Sequence, residues 1–231
     1  MIRAVVFDVD NTLVDFIKWK YAAVDAAIPA MIDAGLDLSF EQARRKIFDI
    51  YDRKGIEYQE VFDDLLQEVL GYIDYRILAA GIVAYRRARE GSLVAYPHVR
   101  LALLKLFRMH LKLAVVSQAR KLHAGRGRVQ LGVDSFFDVV VAFEDTGRRK
   151  PAPEPFQKAL ELLDVRPDEA MMVGDWAERD ILGAKEIGMT TVFARYGDTF
   201  GTKNSGADFE IDDIIQLIPI VEALNSKGSS K

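Results

Sequence analysis

One apolar run of strand length, Ile2-Arg3-Ala4-Val5-Val6-Phe7, opens the chain, and the next such run begins only at Leu111. The first run is rich in β-branched residues, as buried strands are. What lies between reads as helix. Ile17, Tyr21, Val24, Ile28 and Met31 form one helical stripe that stops near Gly35. Ser39 followed by Gln42 fits a capping box ahead of Ala43, Ile47, Ile50 and Tyr51. Tyr58, Phe62, Leu65 and Val69 line a third helix ending near Gly71, and Ile73, Ile77, Gly81, Ala84 and Ala88 a fourth ending near Gly91. Four short-looped helices, each with one apolar face, predict a small antiparallel bundle.

Beyond Gly91 the pattern changes. Strand-length runs at 111–117, 139–143, 171–174 and 190–194 alternate with helical stretches opening near Pro97, Pro153 and Ala177. Strands alternating with helices imply βαβ units with right-handed crossovers, and therefore a parallel sheet. The first strand precedes the helical block and the others follow it. The sequence thus predicts an α/β, doubly wound core from residues 1–15 and 92–225, with a helical domain, 16–91, inserted after the first strand. Residues 226–231 read as a disordered polar tail.

Composition narrows the partners. A net charge of −4 argues against nucleic acid or an anionic membrane as the main partner. The absence of cysteine removes disulfides, thiolate nucleophiles and Cys-ligated zinc. The first strand starts at residue 2, so no signal peptide is expected, and no apolar run reaches the ~18 residues of a membrane span. The expectation is a cytoplasmic protein, monomer or homodimer, without nucleic-acid or membrane partners. One basic run, Arg120-Lys121-Leu122-His123-Ala124-Gly125-Arg126-Gly127-Arg128, stands against this. It lacks interleaved aromatics and reads first as a solvated helix face, with nucleic-acid binding as the alternative. His98, His110 and His123 show no ligand spacing.

Ligands of open parallel sheets bind beyond the carboxyl ends of the strands, so the residues ending each run carry the functional information. The first run ends in Asp8-Val9-Asp10-Asn11-Thr12. Two like charges that close favour sharing a proton or a cation, which suits a carboxylate nucleophile beside a carboxylic acid. The second ends in Ser117-Gln118, the third leads to Arg148-Arg149-Lys150-Pro151, and the fourth ends in Gly174-Asp175, with Asp180 five residues later. A hydroxyl can bond a phosphoryl oxygen, an ammonium can neutralise it, and carboxylates can hold Mg²⁺. Each residue also has an ordinary use: Ser117 as a cap, Lys150 as a surface lysine, Asp175 in a turn, Asp180 in the first turn of a helix. It is the order and strand-end placement together that favour chemistry.

These four segments, Asp8 to Thr12, Ser117, Lys150-Pro151 and Gly174 to Asp180, resemble the four motifs of the haloacid dehalogenase-like hydrolase superfamily. The helical insertion resembles the cap of its subfamily I, and the likeness runs from residue 1 to about 225. The resemblance implies a Rossmann-like core and a Mg²⁺-dependent phosphatase, closest in look to archaeal-type phosphatases of glyceraldehyde 3-phosphate. Asp8 would be the nucleophile forming an aspartyl phosphate, and Asp10 the acid and base. Thr12, Ser117, Gln118 and Lys150 would bind the substrate phosphate. Asp8, Asp10 (through its carbonyl), Asp175 and Asp180 would serve the metal.

Two positions depart from the pattern: Gln118 stands where relatives have Asn or Asp, and His98 where they often have Gly. The substrate expected is a small phosphorylated metabolite, a sugar or triose phosphate or a phosphoglycolate-like ester. Lys18, Trp19 and Lys20, close behind the first motif, read as a solvated helix start, with contact to the leaving group as the alternative; Arg148, Arg149 and Trp176 are further candidates. A phosphomutase would use the same acids. A 2-haloacid dehalogenase would need no Mg²⁺. A phosphonoacetaldehyde hydrolase would need a Schiff-base lysine such as Lys18, Lys20, Lys46 or Lys54.

Overall fold

The structure is a computed structural model that describes residues 1–92, 94–118 and 132–228. The basic run of residues 120–128 lies outside the described residues. The chain divides into two compact units, Met1–Asp15 with Val94–Lys231, and Phe16–Leu93.

The first unit is built on six parallel strands: β1 (Ala4–Phe7), β2 (Lys112–Val116), β3 (Val139–Val141), β4 (Ala170–Gly174), β5 (Thr190–Ala194) and β6 (Phe209–Ile211). Their order is β3-β2-β1-β4-β5-β6. The strand order therefore reverses at β1, which lies between β2 and β4 and opens a crevice at their carboxyl ends. The alternation of side chains explains the packing. Ala4 and Val6, Ala114 and Val116, and Ala170 and Met172 form one buried cluster with Phe156, Ala159, Leu160 and Leu163 of the helix Glu154–Leu163. Every residue of β1 and β4 is buried, as strands covered on both faces must be.

β6 is not expected from the sequence. Its three residues, Phe209-Glu210-Ile211, sit among acids and pair only with β5 at the sheet's edge. The last helix, Leu217–Gly228, corrects the expected tail: it continues three residues past Asn225. Asn225 explains part of this, since its amide exchanges hydrogen bonds with the backbone of Ile2 at 2.6 and 3.0 Å.

The second unit holds four helices, α1 (Phe16–Asp33), α2 (Phe40–Lys54), α3 (Val61–Leu70) and α4 (Tyr75–Ser92). Ser39 and Gln42 make the reciprocal capping box at the start of α2. Ala27, Ile28, Met31, Ile47, Ile50, Leu65, Leu66 and Ile77 form its core. Gly81 allows a close approach, because a Cβ there would stand 2.7 Å from Met31. The expected stripe on α1 holds at Val24, Ile28 and Met31, all fully buried, and departs from expectation in the first turns. Tyr21 is exposed, while Trp19 and Lys20 are buried, so the solvated helix start expected at these two residues is overturned. None of the described helices is long and apolar enough to cross a membrane.

Candidate active site

β1 delivers Asp8 to the crevice, and its backbone N–H donates to the carbonyl of Val173 in β4 (2.9 Å). The chain then turns sharply. The amides of Thr12, Leu13 and Val14 all donate to the Val9 carbonyl, and Asn11 adopts the left-handed conformation with φ 56°, one that Asn tolerates better than most residues. The turn points Thr12 inward, where it is fully buried and its hydroxyl donates to Asp175 Oδ1 at 3.0 Å. That hydrogen is therefore committed to an acid, a use the sequence reading did not give it.

Lys150 arrives from the loop before the helix Glu154–Leu163 and is 5% exposed. Its Nζ donates to Asp8 Oδ1 at 2.5 Å and lies 2.5 Å from Asp180 Oδ1. The second contact is an ion contact without hydrogen-bond geometry, so that buried oxygen of Asp180 has no hydrogen-bond donor. Asp180 Oδ2 accepts from the Trp176 amide at 3.2 Å. The segment Ala177–Ile181 is a turn of π-helix, a form that recurs at functional sites. Gly174 makes room for Asp180, since a Cβ on it would stand 2.4 Å from that side chain.

Asp8, Asp175 and Asp180 each offer a carboxylate oxygen, all within 4.8 Å of one another. Burial lifts the Asp8 carboxyl from 3.8 to about 7; Lys150 pulls it down, and Asp180 and Asp10 push it further up. Burial lifts Asp175 to about 9, with Asp8 and Asp180 adding to the rise, and Thr12 and Lys150 opposing it. Burial disfavours the charge on Lys150, but Asp180 and Asp8 outweigh it and hold the ammonium above the usual lysine range. Three acids against one ammonium are short of positive charge. A hard divalent cation with oxygen ligands fits that donor set.

The remaining expected residues take these places. Asp10 is half-buried and close enough to Asp8 to raise its pKa. Ser117 is buried at the end of β2, its amide bound to Val141. Gln118 donates its side-chain amide to the Lys150 carbonyl at 3.0 Å, tying the second strand end to the third. His98 occupies a left-handed position, φ 63°, which suits glycine, and its Nδ1 lies 2.6 Å from Asp213. Arg148 is exposed, 3.7 Å from Glu154, and Arg149 lies over Phe143. Trp176 has the guanidinium carbon of Arg179 3.4 Å from its ring centroid and the Phe200 ring centroid at 4.3 Å.

Three residues escaped the sequence reading. Tyr196 donates its hydroxyl to the Thr12 carbonyl at 2.7 Å, and Tyr96 stands edge-on to its ring, with centroids 4.9 Å apart. At Gly197 a Cβ would stand 1.7 Å from the carbonyl oxygen of Asn11 and 3.0 Å from Asp175 Cβ. These residues brace the first turn and the acid opposite it from behind.

An all-parallel sheet that gathers acids and a lysine at its switch point is the frame of one hydrolase family. The family model of haloacid dehalogenase-like hydrolases matches residues 2–188, and the chain belongs to that family. Within it the chain stands with the phosphatases. A glyceraldehyde 3-phosphate phosphatase of Methanocaldococcus jannaschii is 35% identical over 227 residues, covering 97% of this chain and 99% of that protein. Another, of Methanopyrus kandleri, is 37% identical over 230 residues, covering 97% and 99%. The crystal structure of a HAD phosphatase from Thermococcus onnurineus superimposes with a TM-score of 0.69 at 25% identity, covering 95% of this chain and 98% of that one.

Proposed function

We propose that the protein hydrolyses small phosphate monoesters, with a triose phosphate such as glyceraldehyde 3-phosphate as the favoured kind, through a phosphoryl group carried on Asp8. The observation that carries this reading is the position of Lys150, 2.5 Å from both Asp8 and Asp180. An ammonium there neutralises a phosphoryl oxygen at the nucleophile itself. The two full-length relatives named above support the choice of ester.

In the first half-reaction a carboxylate oxygen of Asp8 bonds to phosphorus and the ester P–O bond breaks. Asp10 gives the departing oxygen its proton, so the alcohol leaves neutral. In the second, Asp10, now a carboxylate, takes a proton from water as that water attacks phosphorus. Inorganic phosphate leaves and Asp8 is regenerated. Ser117 donates to the phosphoryl group, and Lys150 offsets its charge throughout. Asp8, Asp175 and the backbone carbonyl of Asp10 would hold Mg²⁺, with Asp180 in support, and the ion would supply the positive charge that these acids lack.

Phosphate release from phenyl phosphate is the test. Activity with Mg²⁺ should fall by about 10³-fold or more in Asp8→Asn and be lost with EDTA; full activity in either arm removes the mechanism. Asp10→Asn should slow an alkyl ester far more than an aryl ester, whose oxygen leaves without help.

A further inference from the structure

The lysine beside Asp8 hangs from a loop, a soft mount for a charge that is pulled. Its Nζ stands 2.5 Å from an oxygen of Asp8 and 2.5 Å from one of Asp180. Both acids draw the ammonium toward themselves, and a flexible four-carbon stem lets it follow. To offset charge on a phosphoryl group as well, the ammonium must not settle wholly on the acids. The backbone that carries it therefore matters as much as the side chain.

Two contacts hold that backbone, and both come from the same α/β unit. From the end of β2, Gln118 reaches 32 residues ahead in sequence, and its Nε2 donates to the Lys150 carbonyl at 3.0 Å. From the helix Leu182–Glu186, Gly183 lies against the next residue. A Cβ there would stand 2.6 Å from the Pro151 carbonyl oxygen and 3.0 Å from Pro151 Cα. The loop also closes on itself, the Ala152 amide donating to the Arg149 carbonyl at 3.0 Å. Gly183 limits the loop by contact alone, whereas Gln118 adds a directional bond. Gln118 also follows Ser117, so its bond ties the strand end that brings the hydroxyl to the loop that brings the ammonium.

We propose that Gln118 is a positioning residue of the reaction. It acts on phosphoryl transfer through Lys150, by fixing that loop against the end of β2, and does not itself hold the phosphate. This rests on the phosphatase reading above. An N–H of its amide is committed to a main-chain carbonyl, much as the Thr12 hydroxyl is committed to Asp175.

A double-mutant cycle separates action through Lys150 from direct contact with the phosphate. Wild type, Gln118→Met, Lys150→Met and the double variant are compared; Met keeps an unbranched stem and removes the polar end. Calorimetry measures binding of inorganic phosphate with Mg²⁺ present, alongside turnover of phenyl phosphate and the melting temperature. Where Lys150 is intact, Gln118→Met should weaken phosphate binding by about three- to tenfold. It should lower kcat by about tenfold or more, as misplacement of a catalytic group does. In the Lys150→Met background the same substitution should change phosphate affinity by less than about twofold. Equal losses in both backgrounds would make Gln118 a phosphate ligand and overturn the proposal. Wild-type affinity and kcat in Gln118→Met, with or without a lowered melting temperature, would leave it a structural brace and overturn the proposal too.

A crystal structure of the wild-type protein with Mg²⁺ and inorganic phosphate decides the point without the Lys150 variant. Gln118 still bonded to the Lys150 carbonyl and out of reach of the phosphate supports the proposal; Gln118 within hydrogen-bond distance of a phosphate oxygen overturns it. Wild-type turnover of phenyl phosphate keeps the two claims separate: present, it sustains the phosphatase reading whatever Gln118 does; wild-type protein inert toward every ester overturns both.

Discussion

Each unit buries charge, and each does so with the opposite imbalance. The α/β unit gathers Asp8, Asp175 and Asp180, with the ammonium of Lys150 against Asp8 and Asp180. The helical unit sets the ammonium of Lys20 against the rings of Tyr51 and Tyr85, with no acid in ion-pair contact among the described residues. A buried charge left unbalanced is expensive. Acids outnumber cations in the one cluster, and a lone ammonium faces rings in the other unit, so the two carry buried charge of opposite sign.

The largest expected effect tests the acid side. Asp8 and Asp175 have folded pKa values raised to about 7 and about 9. Their contribution to stability is complete below the unfolded value near 4 and is lost as pH rises through 7 to 9. Metal-free protein should therefore lose thermal stability between pH 5 and 9. Saturating Mg²⁺ should restore roughly 5 °C or more at pH 8. A melting temperature indifferent to Mg²⁺ across this range would break the comparison.

A smaller effect sharpens it by separating charge from shape. Gly197→Ala pushes a methyl group against the Asn11 carbonyl and should cost about 1–3 kcal/mol in thermal or denaturant unfolding. Tyr196→Phe removes only the bond to the Thr12 carbonyl and should cost about 1 kcal/mol. Both should weaken Mg²⁺ binding, measured by calorimetry, because Thr12 holds Asp175. Unfolding costs in the reverse order would show that the hydroxyl, not the close approach, sets the first turn.

The smallest effect concerns Lys20. Its folded pKa is lowered to about 8 from 10.5, so its favourable contribution exists above pH ~10.5 and is lost as pH falls through 8. Lys20→Met should therefore melt roughly 2–4 °C higher than wild type at pH 7. The gap should close as pH rises beyond 8. The slope is opposite in sign to that of the acid cluster, and a pH-independent gap would show that no charge is buried there.

The strand-end rule made much of this legible. Asp8, Lys150, Asp175 and Asp180 lie far apart in sequence, yet each ends or follows an apolar run, and the parallel sheet brings those ends together. The same rule carried to the end of β5 reaches Tyr196 and Gly197, two of the three bracing residues it had not named. Other features have no local signal. β6 is three residues among acids and exists only because β5 offers an edge. Lys20 sits beside Lys18 in what reads as a wet helix start. Only the packing of α1 against α4 puts it inside, and periodicity cannot tell a stray lysine from an enclosed one. Gln118 looks like a departure in sequence and acts as a brace in space, through the Lys150 carbonyl.

One modest feature reaches further. Val14 bridges Ala95 in antiparallel fashion, and the Asp15 amide donates to the Val94 carbonyl at 3.4 Å. The outgoing and returning chain thus run side by side as a two-stranded stem where the helical insert begins and ends. An insert held by such a stem can grow, shrink or be exchanged without disturbing the register of any strand. A lineage could remodel what its members prefer while keeping the same reaction, and a protein engineer could splice a foreign insert at the same seam.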